Sequence, residues 1–452
     1  MTQCNQETFE FEAHFRRDVV ARFDGGRMSS DAGALLLRQT DRRMNVLARL
    51  AECFEDRRKP WLIAHTVEEM VAQRVYALAL GYEDLSDHDQ LREDPLLAVL
   101  SGKRRVGEEA LAGKSTLNRL ELSTETPSRY KKIHCRQEAL DGLLVAVFVE
   151  AHRKAPESIV LDLDVTDLPL HGHQEGRFFH GYYDEYCYLP LYIFCGEHLL
   201  CARLRTADQD AAAGCTQEVE RIVGQIRQAW PEVQITVRGD SGFCRQELMQ
   251  WCEDHGVGYV LGLARNDRLR RLIDPQMREA ARLQKESGKP ARVFTEFHYQ
   301  TTTGSWSRAR RVVAKAEQIE GKENPRYLVT NLPAERWAAR ALYEELYCAR
   351  GEMENRIKEQ LSLFATRVSA ETMRANQLRL SLAGFAYVLM HGLRRLALQG
   401  TELERAQATT IRLRLLKIGA QIRITARKIW LSMASGFPLQ SLYRQAWMHL
   451  RC

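Results

Sequence analysis

The run SIVLDLDVTD, residues 158–167, sets two carboxylates in alternation within an apolar stretch. Side chains of a β-strand alternate between faces, so Ile159, Leu161, Leu163 and Val165 share one face while Asp162, Asp164 and Thr166 share the other. Two ionised carboxylates so close repel each other, and a cation, a shared proton or full solvation must relieve them. Asp is depleted in strands, so an ordinary solvated edge accounts poorly for the pair and a bound metal accounts for it best. A second acid stands in QITVRGDSGF, residues 234–243, where an apolar strand runs into Gly239-Asp240-Ser241-Gly242. Asp240 therefore falls at a strand's carboxyl end, where ligands of open α/β sheets gather, although Gly-Asp-Ser-Gly is also plain turn chemistry.

A third acid comes from the helical segment ALYEELYCARGEMENRIKEQ, residues 341–360. Leu342, Leu346, Ala349, Met353 and Ile357 recur at helical spacing as the expected buried stripe, and Tyr347, Arg350, Glu354 and Lys358 form the stripe beside it. Glu352 lies on the opposite flank, so Glu354 is the third candidate. Taken alone, the helix reads equally as a solvated surface with ion pairs. Together, Asp164, Asp240 and Glu354 suit two divalent cations about 4 Å apart for in-line phosphoryl transfer. An oxygen-only set fits Mg²⁺ or Mn²⁺, and Asp162 stays open as the rival first acid.

The elements that must position these acids follow from periodicity. A short strand pair is expected around FDGGR, with Asp24-Gly25-Gly26 as its turn, followed by Ser29-Ser30-Asp31 capping a helix through Arg38. Helical spacing dominates to about residue 152. The strands SIVLDLDVT, YLPLYIF and HLLCARLRT follow, then a helix over 215–229, the strand QITVRGD, a helix from Cys244 to Asp254, the strand VGYVLGLA, and a long helix from about Arg336 to Gln360. This is the element order of the ribonuclease H fold, a mixed α/β class. Residues 265–335 interrupt it with a charged helix and three strand-like runs, RVFTEFHYQ, ARRVVAKAE and RYLVTNL, too regular for a loop. The expected organisation is a mainly helical region over 1–152, a ribonuclease H-like core over 153–264 and 336–400, a β-rich insertion subdomain over 265–335, and a basic segment over 401–452. That last segment holds nine Lys and Arg against Glu402 and Glu404.

The whole chain carries 65 basic and 59 acidic residues, a net charge of +6 that permits a nucleic-acid partner without requiring one. Eleven cysteines show no C-x-x-C pair, so reduced thiols are expected. No apolar leader or long apolar run appears, and the expected compartment is the cytoplasm, with no membrane partner. AGKST, residues 112–116, lacks the spacing and preceding strand of a phosphate-binding loop; Lys114, Ser115, Asn118 and Arg119 could instead open a helix that touches DNA phosphates. His171, His173 and Glu175 find no further ligands and read as a polar loop. FFHGYYDEYCY, residues 178–188, could stack on splayed bases or cover a sheet edge. Asp162 to Thr166 also fits the nucleophile motif of haloacid-dehalogenase-like phosphatases, but the later acidic motif fails at Cys244.

In order and context these motifs resemble the DDE transposases of bacterial insertion sequences, in the branch with a Tyr-x2-Arg-x3-Glu signature, matched by Tyr347, Arg350 and Glu354. The likeness runs from FDGGRMSSDAGALLLRQTD through VLDLDVTD, HGHQEG and RGDSGF to ARGEMENRIKE. It implies Asp164, Asp240 and Glu354 as the catalytic acids and metal ligands, with Tyr347, Arg350 and Lys358 toward DNA. The branch places a Lys seven residues after the Glu, where this chain has Leu361; Lys358 is the candidate substitute. It further implies binding of the element's inverted double-stranded ends, exposure of 3′ hydroxyls, transfer to target DNA, and a homodimer or higher assembly, nucleoid-associated when bound to DNA. DNA contacts fall to the helical region before residue 153 and contacts to the transposon end to the β-rich insertion. A descendant retaining DNA binding without catalysis is the non-enzymatic alternative.

Overall fold

The computed structural model describes residues 7–122, 128–129, 131–302 and 304–451. The chain divides into two compact units, one formed by Met1–Arg136, Ser362–Phe364 and Phe385–Cys452, the other by Gln137–Leu361 and Ala365–Gly384.

The second unit is built on a nine-stranded mixed sheet. Helix α1 (Gln137–Glu150) leads into strand β1 (Ser158–Val165), then β2 (Leu191–Cys195) and β3 (His198–Arg203). Helix α2 (Cys215–Ala229) carries the chain to β4 (Gln234–Gly239), and α3 (Gln246–Asp254) carries it to β5 (Gly258–Leu263). The order β3-β2-β1-β4-β5, with β2 antiparallel to both neighbours and β1, β4 and β5 mutually parallel, is that of the ribonuclease H fold. Gly196 turns between β2 and β3 with a φ of 57°, a left-handed conformation that glycine adopts without steric cost.

After β5 come a short helix Asp267–Leu272, helix α4 (Asp274–Ser287), and strands β6 (Ala291–Tyr299), β7 (Arg310–Ile319) and β8 (Arg326–Thr330). These strands continue the core sheet in the order β5-β8-β7-β6, all antiparallel, so residues 265–335 widen that sheet instead of forming one of their own. Val219, Ile222 and Ile226 of α2, Leu248 and Met249 of α3, and Met277 of α4 bury one face of the sheet through Leu161, Leu163, Ile235, Val237, Leu261, Val312 and Val329. On the other face Val260, Val313 and Leu328 meet Leu342, Tyr343 and Leu346. β1 is therefore covered on both faces, and the face of Asp162 and Asp164 is the one toward the helical segment that starts at Ala339.

In the first unit, the expected strand pair is Thr8–His14 with Arg17–Arg22, turning at Phe15-Arg16 and not at Asp24-Gly25-Gly26. TFEFEAH alternates apolar and polar residues, and the hairpin closes directly after it, where Phe15 takes a left-handed φ of 56°. Asp31 precedes a single 3₁₀ turn, and the helix that follows runs over Leu35–Met44, beyond the expected end at Arg38. Helix Val67–Leu80 starts at a capping box of Thr66 and Glu69, donating backbone N–H groups to side chains at both positions, and stops at Gly81. Lys114–Glu121 is a helix capped by Gly113, and the basic segment contributes strands Ala420–Ile424 and Ile429–Met433, which join Met28–Ser29 in a three-stranded sheet, and helix Gln440–Arg451. The nine described cysteines are all free thiols; Cys4 and Cys452 lie outside the described residues. Among the described residues no helix is long and apolar enough to cross a membrane.

Candidate active site

Strand register brings the first two acids together. Gly239 of β4 lies opposite Leu163 of β1, so Asp240, next after Gly239, comes level with Asp164 on an adjacent parallel strand. Asp240 is held by a tight turn in which its carboxylate accepts from the Gly242 N–H at 2.8 Å. Such a closed turn keeps the acid at the strand end and its free oxygen outward. Gly262 of β5 makes room for it: a Cβ there would meet the Ser241 nitrogen at 2.8 Å, the Tyr347 hydroxyl at 3.0 Å and the Asp240 carbonyl carbon at 3.1 Å.

The two aspartates that sequence alternation places on one face have different surroundings. Asp162 is buried and bound by both its oxygens to Arg238, at 2.5 and 2.8 Å, in a planar pairing that leaves little capacity for another cation. Arg238 also donates to the Leu346 carbonyl, tying β4 to the helical segment that starts at Ala339. The phosphatase alternative needed Asp162 as a nucleophile, and this pairing occupies both its oxygens. Asp164 meets Arg350 at 2.8 Å, and the same Arg350 nitrogen lies 3.9 Å from Asp240. One cationic nitrogen thus attracts both carboxylates. Burial, reinforced by the charges of Asp240 and Glu354 and opposed by Arg350, pushes the Asp164 carboxyl up to about 6.

The helical segment from Ala339 to Gln360 is continuous but uneven. Ala339–Ala341 opens it, Leu342–Tyr347 is π-helical, Cys348–Arg350 tightens to 3₁₀, and helix α5 (Gly351–Gln360) continues it. The changes of pitch rotate its two halves relative to one another, so Ala349, expected in the buried stripe, is exposed while Met353 and Ile357 remain buried. Tyr347 packs beside Gly262, and Arg350 reaches the aspartates from the same stretch. Glu354 is exposed on α5, near enough for its charge to act on Asp164, and Lys358 is exposed one turn further on. Glu352 is also exposed, and its charge acts on Asp162.

Among the described residues no three His, Cys, Asp or Glu side chains stand in a set that could hold a metal ion. Asp164 and Asp240 nevertheless offer hard oxygen donors around one cationic centre, which suits a divalent ion of the Mg²⁺ class. The Nε of Arg350 is buried without a hydrogen-bond partner among the described residues, so the site also holds an unused donor for an anionic oxygen.

The family described as transposase DDE domain group 1 matches residues 11–452. The chain belongs to that family. It is a DNA transposase, an enzyme of DNA strand cleavage and strand transfer, and enzymes of this kind use divalent metal ions and act on DNA. Among solved structures the transposase is similar to a piggyBac transposase synaptic complex with hairpin DNA, at 10% identity and a TM-score of 0.40, over 86% of this chain and 80% of that one. No curated protein matches it.

Of the other residues that the sequence singles out, Lys114 and Arg119 sit in the first unit. Lys114 is paired with Asp89 at 3.0 Å and Arg119 is exposed. Glu175 accepts from the Met373 N–H at 3.0 Å and so caps a helix (Met373–Ala397), while His173 is bonded to Arg177 at 3.3 Å. The transposase also uses two residues that motif reasoning passed over. Arg238 had a signal, an arginine in a strand one residue ahead of Gly239-Asp240, and Gly262 had another, a glycine inside the apolar strand VGYVLGLA.

Proposed function

We propose that Asp164, Asp240 and Glu354 are the catalytic carboxylates of this transposase, that they hold Mg²⁺ or Mn²⁺ as two ions, and that the enzyme works on the ends of a bacterial insertion sequence as a homodimer or higher assembly. The observation that carries this reading is the Arg350 nitrogen shared by Asp164 and Asp240, which singles out Asp164 over the Arg238-bound Asp162. Bound at these carboxylates, divalent ions would supply Lewis acidity to the attacking and leaving oxygens of the phosphodiester. Asp164 and Asp240 fix the reacting end of the sheet, and Glu354 adds its charge from α5. Arg350 balances the carboxylates in the free enzyme and offers its unused Nε–H to a backbone phosphate once DNA is present. Tyr347, wedged at Gly262, positions Asp240, and Lys358, Lys114 and Arg119 meet phosphates from α5 and from the helical region before residue 153. The strands of residues 265–335 contact the transposon end.

The test is cleavage of end-labelled duplex carrying the element's terminus, in Mg²⁺ or Mn²⁺ and in EDTA, by wild type and Asp240→Asn. Cutting that needs metal and disappears in the variant, with DNA binding retained, is the expected result. Binding without cutting by the wild type would mark a protein that has kept DNA recognition and lost catalysis, and normal cutting by Asp240→Asn would remove Asp240 from the site.

A further inference from the structure

Directly after β1 the chain makes a small antiparallel sheet of Leu168–Pro169, Phe178–His180 and Glu185–Tyr188. Its inner side is ordinary core: Cys187, Leu189 and Ala207 pack with Tyr183 and with Val165, the neighbour of Asp164. Its outer side is unusual in kind. Phe178, Phe179, Tyr182 and Tyr186 are all exposed, Tyr182 by 85%, and no aliphatic side chain is among the exposed large apolar groups of this segment. Rings touch in sequence from the core outward: Tyr183 contacts His180 at 5.0 Å between centroids and Tyr182 at 5.0 Å, the latter edge to face. The loop that carries Tyr182 is closed by the Asp184 N–H donating to the His180 carbonyl at 2.9 Å, with Asp184 at a φ of 55°. Tyr182 is thus held outward from an anchored base and contributes almost no buried area to the fold. Arg177, whose guanidinium lies 3.7 Å from the Tyr186 ring centroid, places a cation at the same surface.

Flat rings without aliphatic neighbours, a cation beside them and a phosphodiester-cleaving centre one residue from the anchoring core are the components of a base-stacking platform. A base inside a duplex has both faces covered, whereas an unpaired base offers a whole ring face to the platform. We propose that this aromatic hairpin is a binding site for an unpaired DNA base next to the cleaved strand, with Tyr182 as the ring that stacks on it and Arg177 on the adjoining phosphate. The proposal rests on the assignment of Asp164 to the catalytic centre.

The experiment uses the full chain and duplexes of the element's terminus with 2-aminopurine at successive terminal positions, read by fluorescence in Ca²⁺, and the same duplexes cut in Mg²⁺. Wild type should change the fluorescence at one or two positions; Tyr182→Ala should abolish that change and slow cleavage about tenfold or more, while Tyr182→Phe keeps both. An abasic nucleotide at the responsive position should level the cleavage rates of wild type and Tyr182→Ala, which a merely structural effect would not do. Fluorescence unchanged by Tyr182→Ala would overturn the platform, as would a shift in the mass of the assembly with base stacking intact, which would mark a protein contact instead. Wild-type cleavage without metal dependence would strike at the catalytic assignment and leave the fluorescence result standing by itself.

Discussion

Asp164 holds its proton more tightly in the folded chain, near 6, than an ordinary aspartate does near 4, because burial disfavours its charge more than Arg350 favours it. A group raised in this way stabilises the fold below about pH 4 and loses that contribution as pH climbs through 6, so the ionised carboxylate costs the metal-free protein on the order of 3 kcal/mol at neutral pH. Asp164→Asn should therefore raise the melting temperature of the metal-free enzyme at about pH 7.5 while removing cleavage. A divalent ion competes with the same proton, and Mn²⁺ affinity measured by calorimetry should weaken by close to tenfold per unit as pH falls below about 6; a flat profile would take Asp164 out of the ligand set. Asp162 belongs to a different economy of charge. Arg238→Met strands a buried carboxylate and should cost about 3–5 kcal/mol in denaturant unfolding, and much of that should return in the double variant with Asp162→Leu. Of the two aspartates, alternation correctly gave a shared face, but only the position of the arginines separates Asp162, locked with Arg238, from Asp164, which shares Arg350 with Asp240.

At the level of elements, the candidate site depends on how closely β5 and the helical segment bearing Tyr347 approach. Gly262 has no Cβ where one would press on the Asp240 backbone and the Tyr347 hydroxyl, and backbone cannot yield as a flexible side chain can. Gly262→Ala should lower stability by about 1–3 kcal/mol and reduce cleavage well beyond what that loss explains, because it displaces the acid itself. Retained cleavage at full rate would show that the turn can shift without consequence. The strands of the core were legible because apolar runs of five to eight residues between turn signals have few other readings, and the helix that carries Glu354 was legible through a stripe at helical spacing. The stripe fails at Ala349, since ideal spacing does not foresee a π-helical turn, and the first hairpin turns at Phe15-Arg16, ahead of the glycine pair that marks the stronger turn signal in the sequence.

For the whole molecule, element order was enough to reach the ribonuclease H arrangement, since three strands, a helix, a strand, a helix and a strand leave little freedom in how the sheet closes. What order could not convey is pairing at a distance. The strands of residues 265–335 read as regular structure in the sequence, but nothing local says that β8 will bond to β5 and prolong the same sheet. In the basic segment the same limit applies: its charge was visible, and its strand partner Met28–Ser29, at the other end of the sequence, was not.

The widened sheet has a consequence for synthesis. Asp164 and Asp240 leave the ribosome ahead of the strands that complete the sheet, and Glu354, the proposed third acid, follows those strands. A nascent chain can therefore assemble its scaffold, with two acids in register, while still lacking the third. On the proposed assignment the transposase stays inert until the helix bearing Glu354 has been made and has docked on a sheet already in place.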